Sequence, residues 1–179
     1  MKYTLTFLAA AIFSIAPGFS EDMETINVSE FTFEYGKPWV RQQVTSSMRA
    51  GQLTYDHEDE SLKDVDLIIY YFGQGQGGGT QANIDRWLGQ FEGTPESKLE
   101  EKEMGDKKVT FLTAKGTYME SMGGGPFSGN KEAKSDYTML AAIFPSERGD
   151  VFLKLTGPTK SVEAMKDAFT AFAESPFSE

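Results

Sequence analysis

Apolar and polar positions divide the chain into alternating segments, two continuous apolar runs and two stretches of helical period. FTFEYGKPWV alternates Phe31, Phe33 and Tyr35 on one side, which predicts a strand with one buried face. Gly36 and Pro38 break it, and Trp39 opens a second extended piece. From Met48 the alternation resumes, with Leu53, Tyr55 and His57 on one face opposite Gln52, Thr54 and Asp56. HEDESLKD is a charged, turn-rich connection. VDLIIYYF and YTMLAAIF are apolar throughout, which predicts strands buried on both faces. Between them Ile84, Trp87, Leu88 and Phe91 recur at helical spacing, with Thr80 as the expected N-cap and Gly93 with Pro95 as the stop.

SKLEEKEM and KKVTFLTAKGTYM, joined at Gly105-Asp106, predict a hairpin whose charged first arm suits a sheet edge guarded against other chains. ESMGGGPFSGNKEAKS has no apolar period and predicts a long loop. SERGD turns the chain, VFLKL returns it, and Gly157-Pro158 stops it. A last helix carries Val162, Met165, Phe169 and Phe172 and ends at Ser175-Pro176.

Two strands buried on both faces require cover on both sides. The pattern therefore predicts an α+β fold, an antiparallel sheet of about six or seven strands between helical layers, an α/β/α sandwich. One domain is expected over residues 31–176, preceded by a polar, flexible segment over 21–30.

The first twenty residues stand apart. Lys2 is their only charge, an apolar run follows, and Gly18 and Ser20 are spaced for cleavage before Glu21. This is the layout of a secretory signal peptide, so the mature protein is expected to be extracytoplasmic, periplasmic or secreted, and not stably inserted in the membrane. The chain has no cysteine, which removes thiol nucleophiles, thiolate metal sites and disulfides together. Its formal charge is −10, and loss of Lys2 with the leader makes the mature form one unit more negative. Such a surface repels nucleic acid and anionic lipid.

YYFGQGQGGGTQANIDRWLGQF runs from an apolar strand through glycines into a helix, the outline of a phosphate-binding loop. Gly73, Gly78 and Thr80 match that pattern, but its lysine position holds Gly79, so the charge that meets the phosphates is missing. Gly73, Gly75 and Gly78 also fit the dinucleotide fingerprint, which needs a buried parallel strand next. The next strand is charged and edge-like. Nucleotide binding is therefore not expected, and what remains is a helix N-terminus tolerant of an anion.

His57 is the only histidine, and no serine sits in a G-x-S-x-G elbow, so a hydrolytic triad is not expected. Asp56, His57, Asp59 and Glu60 are the candidate metal ligands, against the plainer reading of a solvated charged turn. Met119, Met122 and Met139 are a second, softer candidate set, for copper. Trp87 reads as core, Trp39 as an anchor for the first segment, and Phe127 as an aromatic on a glycine-rich loop suited to contact.

Pro38-Trp39, the helix NIDRWLGQF and the closing VFLKLTGPTKSVEAMKDAFTAF resemble the PsbP-like superfamily, and YYFGQGQGGG with FLKLTGP looks like an exported bacterial branch of it. That resemblance covers about residues 30 to 175 and implies an antiparallel sheet between helices, with action by protein binding and no catalytic motif to carry over. The expectation is an exported, non-catalytic protein-binding or assembly module without a cofactor. Its contact surface would be Gly75, Gly77, Gly78, Gly79 and Thr80 together with Met122, Gly124 and Phe127. The alternatives are a small-ligand or metal-binding protein and, third, a hydrolase.

Overall fold

The computed structural model describes residues 23–44, 46–122 and 131–178. Seven antiparallel strands make the main sheet in the order β3-β4-β5-β9-β8-β7-β6: β3 (Trp39–Arg41), β4 (Arg49–Tyr55), β5 (Val65–Tyr71), β6 (Glu96–Met104), β7 (Lys107–Ser121), β8 (Lys131–Phe144) and β9 (Val151–Pro158). Helix α1 (Thr80–Leu88) lies on one face. The other face carries α2 (Thr159–Ala164), α3 (Lys166–Glu174) and a two-stranded sheet of β1 (Glu24–Val28) and β2 (Phe31–Tyr35). The α+β sandwich with helices on both faces is thus as the apolar pattern requires.

The segment over 21–30, expected to be flexible, instead contains strand β1. Its Ile26 and Val28 are buried opposite Phe33 and Phe31, so a two-residue apolar alternation inside a polar stretch was enough to pair it with β2. The hairpin closes the larger core. Phe33 stacks on Phe172 at 5.2 Å and meets Phe144 edge-on at 5.3 Å, tying β2, α3 and β8 together. Trp39 is buried, edge-on to Tyr55 and against Phe172, and anchors the short edge strand β3 as expected.

Strand β8 divides the molecule. Leu140, Ala142 and Phe144 face the α3 side, while Met139, Ala141 and Ile143 face α1 with Ile84, Trp87 and Phe152. Each residue from Thr138 to Phe144 is buried, as its continuous apolar run demands. The other apolar run behaves differently. In β5, Val65, Leu67 and Ile69 are fully buried, but Ile68 and Tyr70 on the opposite face are half-exposed and Asp66 is exposed. Helix α1 stops before it can cover that part of the sheet.

Three boundaries also depart from expectation. Strand β8 begins at Lys131, not Tyr137, because Tyr118–Ser121 pairs with Lys134–Lys131 in a long hairpin arm. Gly157 and Pro158 lie inside β9 at its end. The closing helix is two helices, separated at Met165, whose φ of −111° and ψ of 7° leave the helical range.

Candidate functional site

The glycine-rich loop joins β5 to α1, and its geometry comes from four glycines at positive φ: Gly73, Gly75, Gly77 and Gly78. The N-cap is Gly79, not Thr80, and no side chain caps the helix. Asn83 holds the loop from within. It is only 1% exposed, and its Nδ2 amide donates to the carbonyl oxygens of Gly77, Gly78 and Gly79 at 2.9, 3.3 and 3.0 Å. Arg86 donates to the side-chain Oδ1 of Asn83 and fixes that orientation. Gly75 and Gly79 share a shallow depression with Glu147 and Asp150 of the β8–β9 turn. Two carboxylates around the helix N-terminus oppose an anion there.

Of the two loops expected to form one contact surface, the first is described in full and the second only to Met122. Tyr71, just before the glycine loop, pairs with Val151, which also pairs with Phe144 at the C-terminal end of β8. Ser121 and Lys131 close the opposite end of that strand. Met122 lies beyond them and is 55% exposed, whereas Gly124 and Phe127 lie outside the described residues. Gly75, Gly77, Gly78, Gly79 and Thr80 thus follow the end of β5, while Met122 follows the tip of the β7–β8 arm.

The candidate metal sets do not assemble. Among the described residues no three His, Asp or Glu side chains are grouped so as to hold an ion. Asp59 folds back to accept from the Ser61 amide at 2.9 Å, and Asp64 accepts from the His57 backbone amide. The His57 ring lies edge-on to Tyr55, and its Nε2 is buried without a partner among the described residues. The methionines separate likewise: Met139 is wholly buried in the core beneath α1, and Met122 is exposed.

A different site occupies the part of the sheet that α1 leaves bare. It is a cleft of about 400 Å³ whose floor is Asp66, Ile68 and Tyr70 of β5 with Lys154 and Thr156 of β9. Gln90, just past α1, and Tyr118 and Tyr137 form one wall; Arg49, Met119–Ser121 and Lys131 form the rim. Arg49 is on β4, separated from β7 in the sheet by the three strands β5, β9 and β8, yet both line the cleft. The hairpin arm therefore curls across the face. A bulge supplies the bend: register shifts between Gly116 and Tyr118, and Asp136 on the paired strand has φ of 54°. The 90–92 segment is zipped to this arm by Met119 N–H to the Gln90 carbonyl and Glu92 N–H to the Thr117 carbonyl, both 2.8 Å, which fixes Gln90.

Lys154 sits at the centre. It is flanked in the sheet by Ile68 and Ala141, and its ammonium donates to Gln90 Oε1 and, at 3.5 Å, to the Tyr118 hydroxyl. Neither acceptor is charged. Burial away from water, with Arg86 nearby as a second cation, brings Lys154 down to about 8. Burial pushes Tyr118 up to about 12, with smaller contributions from Tyr70 and Glu120, and raises Tyr70 also. The Thr156 hydroxyl is buried without a hydrogen-bond partner among the described residues. The two acidic residues of the cleft are engaged: Asp66 accepts from Gln52 and Thr54 at 3.1 and 2.6 Å, and Glu120 pairs with Lys134 at 3.6 Å. None of these cleft residues is singled out by a motif. One signal is present in VFLKLTGP, where a lysine interrupts an otherwise apolar strand.

No protein-family profile and no curated protein matches the chain. Solved structures do. Cyanobacterial PsbP (CyanoP) from Synechocystis sp. aligns over 92% of this chain and 96% of its own, with 12% identity and a TM-score of 0.51. PA94 from Pseudomonas aeruginosa, a protein of unknown function, covers 88% of this chain and 97% of its own at 10% identity and a TM-score of 0.48. LpqN from Mycobacterium tuberculosis, involved in cell envelope biogenesis, covers 88% and 84% at 14% identity and 0.45. The fold is PsbP-like, as the sequence resemblance implies. At this level of identity the likeness speaks for fold and not for activity. No helix among the described residues is long and apolar enough to cross a membrane.

Proposed function

We propose that the protein is a non-catalytic, extracytoplasmic binding module that takes a small ligand in the Lys154 cleft. One observation carries this reading: a desolvated ammonium on the floor of an open cleft, whose acceptors among the described residues, Gln90 and Tyr118, are both neutral. A cation drawn partly out of water without a counter-ion is costly to folding, and such cost concentrates at sites that use it. The cleft volume is within the range of small-molecule sites. An extracytoplasmic location is supported by the signal-like first twenty residues.

The test is native mass spectrometry of the protein purified gently from its own host, beside an Ile68→Trp variant that fills the cleft floor. A small bound mass present in the wild type and absent from the variant is the expected result. Equal retention by both would remove the cleft from consideration. A second reading, a protein-binding module, is favoured by exposed apolar side chains, Phe72 at 37% and Met122 at 55%. A heavier assembly that survives the Ile68→Trp change would carry that reading instead.

A further inference from the structure

We infer that the group recognised in this cleft is the carboxylate of a small monocarboxylic acid, held by Lys154, with the flat or apolar body of the acid against Tyr118 and Tyr137. The inference rests on the reading of the cleft as the binding site and adds the chemistry of its ligand.

Charge complementarity sets the sign. An ammonium has three donors, and Lys154 uses two, on Gln90 and Tyr118. The lining carries three cations, Lys154 with Arg49 and Lys131 at the rim, against two carboxylates, Asp66, which accepts from the neutral Gln52 and Thr54, and Glu120, which is drawn off to Lys134. The centre of the cleft is therefore short of negative charge. A carboxylate supplies it and gives the unpartnered Thr156 hydroxyl an acceptor.

The number of charges follows from the same inventory. A phosphate dianion asks for several converging backbone N–H groups or a bidentate arginine. Here the floor is a central sheet whose backbone donors are spent in the ladders of β5, β9 and β8, and Arg49 is turned to Gln52 Oε1 at 2.6 Å. One desolvated ammonium balances one negative charge. The net charge of −10 also repels large acidic partners more strongly than a small monoanion.

The shape of the ligand comes from the wall. The Tyr118 and Tyr137 rings are parallel within 2° at a centroid distance of 6.3 Å, and Ile68 and Tyr70 continue the apolar surface along the floor. A planar body covers such a surface at little entropic cost.

The experiment is isothermal titration of the full mature protein with benzoate, 3-phenylpropionate, benzamide and inorganic phosphate, on the wild type and on Lys154→Met, Lys154→Arg and Ile68→Trp. Benzoate or phenylpropionate should bind the wild type, with benzamide at least about tenfold weaker and Lys154→Met weaker by a similar factor. Lys154→Arg should retain part of the affinity, which separates loss of charge from loss of fold. Equal binding of benzoate and benzamide, abolished by Ile68→Trp, would overturn the carboxylate and leave the cleft as the site. Tighter binding of phosphate would overturn the single-charge assignment. No binding by any of the four probes would remove the cleft reading and this inference together.

Discussion

Lys154 Nζ stands 3.5 Å from the Tyr118 hydroxyl and 5.6 Å from the centre of the same ring, so the ammonium meets the phenol at its oxygen end. The two groups respond to burial in opposite directions, and stability at alkaline pH should record both. Lys154 in the folded protein releases its proton near 8, while the unfolded lysine keeps it to its ordinary value of 10.5. Between those values the unfolded state binds more protons, so stability rises with pH. Tyr118 is the reverse: unfolded it ionises near 10, folded only near 12, so its contribution is present below pH 10 and lost as pH rises through 12. Urea midpoints measured at about pH 7 and about pH 9.5 should increase for the wild type relative to Lys154→Met, by on the order of 1–3 kcal/mol. A parallel response of the two proteins would refute the assignment.

The glycines of the β5–α1 loop and of the β8–β9 turn packed against it should differ sharply in tolerance. A Cβ at Gly149 would lie 2.4 Å from the Gly73 carbonyl carbon and oxygen, and its φ is +114°. A Cβ at Gly77 would meet Phe72 and Phe152 side chains at 2.9 and 3.0 Å. At Gly75 nothing lies within 4 Å. Gly149→Ala should cost about 3 kcal/mol or more, whereas Gly75→Ala should cost only the left-handed penalty of about 1–2 kcal/mol. Thermal melts of the three alanine variants rank them directly.

Asn83→Asp should loosen the same loop from a distance. It replaces a buried amide donor by a carboxylate facing the carbonyl oxygens of Gly77, Gly78 and Gly79. A loss of about 2–4 kcal/mol is expected, with faster amide exchange concentrated in Gln74–Gly79. Exchange unchanged in that segment would mean the loop is held by other contacts.

Phe33→Ala tests whether the first hairpin belongs to the core. The ring is wholly buried and contacts Phe144 and Phe172, and its loss should cost about 3–5 kcal/mol by chemical denaturation. A change under about 1 kcal/mol would make the β1–β2 hairpin a peripheral attachment.

Much of the scaffold was legible because burial leaves a periodic trace. YTMLAAIF announced a strand covered twice, and Ile84, Trp87 and Phe91 announced the helix that covers it on one side. VDLIIYYF announced the same and was half wrong, since Ile68 and Tyr70 are apolar residues on an open face, and an apolar letter does not say whether anything lies above it. Ile26 and Val28 were too short an alternation to stand out among polar neighbours. The site was almost illegible. Its residues come from β4, β5, β7, β8, β9 and the turn after α1, and only the fold brings Arg49, Gln90, Tyr118 and Lys154 within reach of one another. Asn83 left no mark either, because an asparagine inside a helix gives no hint of which carbonyls it will find.

Helix α1 has nine residues, about 13 Å of length, and it lies over a sheet whose strand β8 has fourteen, about 46 Å. The helix casts a short shadow, and the cleft is the ground it does not reach. The size of the cleft is thus written in a segment length and in no local motif. Two or three more turns at the end of α1 would erase it and leave every strand in register.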